Sequence, residues 1–295
     1  MKKILSLFLI LIFVLSSCTH ANEDPKENEP EKNKQVTYII YSYASEGSSG
    51  TSESENEETV KFASMSERDF NFIDKTEVKN DKAPAKIEVN TGKNSFSMTL
   101  RKSYITSIYK CYNENLSHVG EINVYRTEDG RVMAEFRQQT KELVFFLNYD
   151  GKSYNGELTD EKAKELADDL FVSLYGENVF KKYTDFVIYQ SNTNTSVHYK
   201  RYVHGYETDD DILIKFNKQG ELYSLNANRM GTFEYAEETI SKADIEKAVK
   251  VLTDALGEKW TTFEPHLTID STGTYFVVMG ASNGDYAEQF YININ

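Results

Sequence analysis

Apolar and polar residues alternate with a period of two over much of the chain, and the period lengthens to that of an α-helix in two long stretches. The clearest alternation spans residues 196–228, where three runs rich in β-branched and aromatic residues are separated by residues 205–211 and by Asn217-Lys218-Gln219-Gly220. This pattern predicts a three-stranded antiparallel meander. In its first run Val197, Tyr199, Arg201 and Val203 share one face and His198, Lys200, Tyr202 and His204 the other; in its second, Ile212, Ile214 and Phe216 face one way. One face is expected to be buried and the other to look outward. Gly220 suits the left-handed position of a short hairpin loop.

Upstream, residues 36–43 and 58–64 read as strands across a polar Ser/Gly/Glu loop. Further runs follow at 86–90, 95–102, 104–112, 121–126, 131–138 and 142–149, with Glu128-Asp129-Gly130 and Asp150-Gly151 as turns; only residues 66–73 hint at a helix. The runs between 121 and 149 form a hairpin that could belong with the elements after it. Two amphipathic helices then stand 82 residues apart. The first opens on Thr159 as N-cap and carries Ala163, Leu166, Ala167, Leu170 and Leu174 on its apolar stripe, ending near Gly176. The second is capped by Ser241, has Asp244 at the third position, and lines up Ile245, Ala248, Val249, Leu252 and Leu256 before Gly257. Each helix is followed by predicted antiparallel strands, the second set around an Asn283-Gly284 turn, so one unit is used twice. The expected fold class is α+β: a β-rich N-terminal domain followed by two repeated helix-plus-antiparallel-sheet units.

The N-terminus adds an address. Lys2 and Lys3 precede an apolar core at residues 4–15 that is too short for a stable bilayer span, which reads as a signal peptide. Leu15-Ser16-Ser17-Cys18 resembles the lipobox of bacterial lipoproteins, which implies diacylation of Cys18 and a lipid anchor at the extracytoplasmic face of the cell membrane, or at the outer membrane in a Gram-negative host. Residues 19–35 are Asn, Glu, Lys, Pro and Asp with almost no apolar side chains, the composition of a disordered tether. Such a coil of 17 residues has a typical span of roughly 20 to 25 Å. The expected organisation is therefore signal peptide 1–17, tether 18–35, β-rich antiparallel domain 36–150, first unit 151–235 and a divergent second unit 236–295.

Composition narrows the function classes. A formal charge of -14, which becomes -16 once Lys2 and Lys3 leave with the leader, argues against nucleic acid, because phosphate contacts need clustered Lys and Arg. Twenty Tyr and 17 Phe against one Trp suit half-buried sheet. With Cys18 modified, Cys111 alone remains, and it reads as a buried strand residue. His198 and His204 share a face but lie roughly 20 Å apart along an extended strand, too far to share one metal ion. Asp209-Asp210-Asp211 lacks the alternating spacing of a calcium loop and reads as a solvated turn. No metalloprotease, nucleophile-elbow, phosphate-loop or C-x-x-C pattern is present, so neither catalytic residues, nor a metal, nor a cofactor are expected.

The capped helix with its alanines, the following strand, Val197-x-Tyr199-x-Arg201-x-Val203, Gly205-Tyr206, Ile212-Leu-Ile-Lys-Phe216, Asn217-x-x-Gly220 and Glu221-Leu-Tyr-Ser-Leu225 together resemble the PepSY family and its relatives in thermolysin-type propeptides and envelope lipoproteins. The resemblance covers residues 158–228 well and 240–295 more loosely, the second copy lacking the Arg-x-Val-x-Gly strand. It implies a small extracytoplasmic module that binds or inhibits a peptidase, in trans since no protease domain follows, and that is not an enzyme. Tyr199, Arg201, Tyr202, Tyr206 and Tyr223 around the meander form the candidate binding surface, since aromatic side chains on sheet hold a peptide or glycan at little entropic cost. The alternative is a structural or glycan-contacting envelope lipoprotein without a protease partner.

Overall fold

A computed structural model describes residues 37–42, 51–53, 59–65, 75–106, 121–138, 140–153 and 155–294. Cys18, the leader, the tether, the 66–73 stretch and Cys111 lie outside the described residues. In chain order the elements are β1 Thr37–Ser42, β2 Thr51–Glu53, β3 Thr59–Ser64, β4 Lys75–Val78, β5 Lys86–Asn90, β6 Ser95–Thr106, β7 Glu121–Arg126, β8 Val132–Arg137 and β9 Leu143–Asn148. There follow α1 Asp160–Tyr175, α2 Glu177–Phe180, β10 Asp185–Gln190, β11 Asn194–Val203, β12 Tyr206–Asn217 and β13 Leu222–Asn226. The chain closes with α3 Ala236–Thr239, α4 Lys242–Leu256, β14 Thr261–Thr262, β15 His266–Ile269, β16 Tyr275–Ser282 and β17 Ala287–Asn293. No helix among the described residues is long and apolar enough to cross a membrane.

The expected α+β class is corrected here: the described residues are strand-dominated, with 17 strands joined in one hydrogen-bonded system and four helices, two of them only four residues long. The reason lies in the sheet edges. Had each repeated unit been self-contained, β13 and β17 would end their sheets with open backbone groups. Instead β13 pairs with β9, Leu225 opposite Phe146, so the meander continues without a break through β9, β8, β7 and β6, with β4 and β5 beyond. Likewise β17 pairs with β1, Ile292 opposite Ile40, and β1 runs parallel to β3. Both helices therefore cover only part of sheets whose other strands come from the first 150 residues. The two ladders meet where β12 and β15 share one parallel pair, Thr208 with Leu267.

Both helices are capped as their sequences require: Thr159 accepts from the Lys162 amide, and Ser241 and Asp244 form a reciprocal capping box. The buried stripe of α1 is Ala163, Ala167, Phe171 and Tyr175, whereas Leu166, Leu170 and Leu174 are only partly buried. The two alanines let the helix approach β11, and Phe171 then meets the rings of Tyr175, Phe180, Tyr183 and Tyr199 edge-on at 5.0–5.4 Å. On α4 the stripe is Ile245, Ala248, Leu252 and Leu256, packed over Ile40, Val277, Met279, Phe290 and Ile292. Tyr104, Ile122, Val124 and Val144 point from the other face of the first ladder into this second core.

Candidate binding groove

The β11–β12 hairpin turns on two residues, His204 and Gly205, both at positive φ (51° and 90°), the geometry that matches strand twist in a two-residue loop. The Asp triplet is therefore in a strand and not in a solvated turn. Between the pairs Lys200–Asp211 and Tyr202–Glu207, Arg201 faces three residues of β12, and this bulge re-aims the side chains of Thr208, Asp209 and Asp210.

Asp210 is fully buried. It accepts hydrogen bonds from the Tyr183 hydroxyl (2.7 Å), Arg201 Nη1 (3.0 Å) and the backbone N–H groups of Gly231 (3.0 Å) and Phe233 (3.1 Å). Burial raises its carboxyl above the usual range while Arg201 and the three other donors pull it down. Arg201 also reaches Glu234 at 3.4 Å, and Lys182 pairs with the other oxygen of that carboxylate. One strand thus pins the connection that leads into α3 and α4.

Asp209 turns to different partners: its Oδ2 accepts from Arg229 and from the Thr268 hydroxyl on β15, and its Oδ1 is buried without a hydrogen-bond partner. Burial pushes this carboxyl up to about 6 against the pull of Arg229 and Thr268. Beside it, Asp211 meets His198 Nε2 at 2.5 Å and Glu207 meets Lys200 at 2.7 Å. Burial lowers the His266 imidazole, so it favours the neutral form.

Between the hairpin and the segment entering β15 lies a groove of about 410 Å³ lined by Tyr202, Tyr206, Glu207, Asp209, Glu264 and His266, among others. It combines two phenol rings with carboxylates at the meeting line of the two ladders, a lining suited to holding a segment of another chain by ring contact and hydrogen bonds. No cluster of three His, Cys, Asp or Glu side chains able to hold a metal ion occurs among the described residues.

The five surface residues named from the sequence divide. Tyr202 and Tyr206 both line the groove. Tyr199 and Arg201 are buried, Tyr199 beneath α1 with its hydroxyl donating to Asp168 at 2.6 Å, so neither is offered to a partner. Tyr223 is half-buried on β13 and is not among the groove's lining residues. His198 and His204 stay apart, the latter's Nε2 lying 2.8 Å from the Ile240 carbonyl oxygen. Glu264, His266 and Thr268 carried no signal, because their role depends on a strand pairing 59 residues distant.

No family model matches the sequence, and no curated protein matches it. Among solved structures the fold is similar to the Bacillus megaterium YpeB C-terminal domain, with a TM-score of 0.32 and 10% identity over 67% of this chain and 84% of that chain. A likeness of that size decides nothing about activity.

Proposed function

We propose that the protein is a lipid-anchored extracytoplasmic binding module, held to the cell membrane through Cys18, that takes up a segment of an envelope protein in the groove between β12 and β15. The observation that carries the binding part is the lining of that groove, where Tyr202 and Tyr206 stand with Glu207, Asp209, Glu264 and His266 around one opening. The lipobox-like Leu15-Ser16-Ser17-Cys18 supports the anchor, and the tether composition supports a reach just clear of the headgroups. A peptidase is the partner class, on the PepSY resemblance of residues 158–228.

The test is a photo-crosslinking residue at Tyr206 in the full chain on intact cells. The expected result is a discrete adduct with an extracytoplasmic peptidase, whose activity slows when the chain is added. The Cys18→Ser chain should be released from the membrane fraction and lose the adduct. Recovery of lipoprotein-processing enzymes alone, or an unaltered peptidase, would refute the reading.

A further inference from the structure

We infer that the seam between β12 and β15 is proton-sensitive: it holds most tightly when the Asp209 carboxyl is neutral and loosens as that carboxyl ionises, so that acidity keeps the groove's two walls joined. The inference rests on the groove being the binding site only for its biological consequence; the seam itself is set by the geometry of this chain.

The two ladders meet at a single backbone pair, Thr208 with Leu267. Asp209 is the next residue along β12, and Thr268 the next along β15; the hydroxyl of the second donates to the carboxylate of the first. Arg229, from the connection after β13, donates to the same oxygen. The other oxygen, Oδ1, is buried and has no hydrogen-bond partner among the described residues. A buried carboxylate oxygen without a donor is costly while charged, and a proton on that carboxyl removes the charge.

The groups around it do not supply the missing compensation. From β12, Asp210 brings a fully buried carboxylate, which raises the cost of ionising Asp209. Also from β12, Glu207 and Asp211 are engaged by Lys200 and His198. Arg201 of β11 is engaged by Asp210 and Glu234. Glu264, ahead of β15, is another carboxylate lining the groove. His266 on β15 is kept toward its neutral form by burial. Among the described residues Arg229 is the cation that pairs with Asp209, and burial outweighs it, lifting the carboxyl from 3.8 to about 6.

The sign follows from linkage. A carboxyl raised in the closed state stabilises that state fully below its open-state value, and the stabilisation is lost as pH rises through the closed-state value. With limits of 3.8 and about 6, the closed-to-open ratio of the seam should fall about tenfold between about pH 5 and about pH 7.5.

Amide hydrogen exchange on the full chain, corrected at each pH for intrinsic exchange, reads this directly in peptides covering residues 206–211 and 264–270. Wild type should lose protection by about tenfold over that range, and Asp209→Asn should be flat. Thr268→Val removes a donor that favours the ionised form, so its midpoint should move to higher pH. A wild-type change below about threefold, or an equal slope in Asp209→Asn, overturns the inference. If Asp209→Asn does not fold, the Thr268→Val midpoint decides, and an unmoved midpoint overturns it. Because no partner is present in the exchange experiment, its failure leaves the crosslinking result standing, and a failed crosslink leaves the seam's pH response standing.

Discussion

Replacing Asp210 by Ala is the perturbation that most directly tests how the connection between the two ladders is held. The carboxylate is fully buried and collects four donors, from Tyr183, Arg201, Gly231 and Phe233. Its loss leaves a buried guanidinium short of its partner and removes the acceptor of a buried phenol and two backbone N–H groups. Breaking a buried ion pair by removing one member costs about 3–5 kcal/mol. Arg201 keeps a longer contact to Glu234 at 3.4 Å, whose side chain is 36% exposed, and this should hold the cost near the lower end, about 3 kcal/mol. Urea unfolding at neutral pH, followed by far-UV circular dichroism, measures it. Arg201→Met with Asp210→Leu removes both charges together, so the double variant should cost clearly less than the sum of its singles. A loss below about 1 kcal/mol for Asp210→Ala, or strict additivity in the double variant, would show that the network is not what fixes the segment.

Two further predictions follow from the helices. Phe171→Ala empties a site walled by Tyr175, Phe180, Tyr183 and Tyr199 and should cost about 3–5 kcal/mol in urea unfolding; a loss under about 1 kcal/mol would mean α1 is not docked through this ring. Ser241→Ala removes one half of the α4 capping box and should cost about 1 kcal/mol, seen as a small fall in thermal midpoint, with a neutral result showing that the first turn is held by other contacts.

What the sequence made legible was local. That Val197, Tyr199, Arg201 and Val203 share a face of β11 came from alternation alone, but which face is covered did not: all four are buried, Tyr199 and Arg201 included, which the sequence placed on the candidate binding surface. The caps at Thr159 and Ser241 could be named because the donor and acceptor lie within three residues of each other. The α1 stripe was legible only in part, for a physical reason: Ala163 and Ala167 are buried as expected and the three leucines pack partly buried against the core, but Phe171 and Tyr175 were not named. Leu166, Leu170 and Leu174 form one i, i+4 row, and Ala163, Ala167, Phe171 and Tyr175 form another beside it, so the helical period fits both. The choice between them is made by Tyr183 and Tyr199, whose rings fit against Phe171 and not against a leucine row. The fold class failed for a related reason: pairing β13 with β9, and β17 with β1, joins segments about 80 and 250 residues apart, and no local pattern records a partner at that distance.

The Asp triplet shows the same limit at the site itself. Three consecutive carboxylates resemble a solvated turn because two of the donors that hold Asp210 are backbone N–H groups, which every residue but proline carries and which leave no trace in a sequence. The bulge at Arg201 then gives neighbouring residues unlike tasks. Asp210 is saturated with donors and anchors the connection at Gly231 and Phe233, whereas Asp209 holds one satisfied and one orphaned oxygen against β15. A saturated buried carboxylate contributes to stability mainly through what its removal exposes; a half-satisfied one shapes how the seam answers to protons. Substitutions one residue apart should therefore separate cleanly: Asp210→Ala lowering global stability, Asp209→Asn flattening the pH response of a seam that still closes.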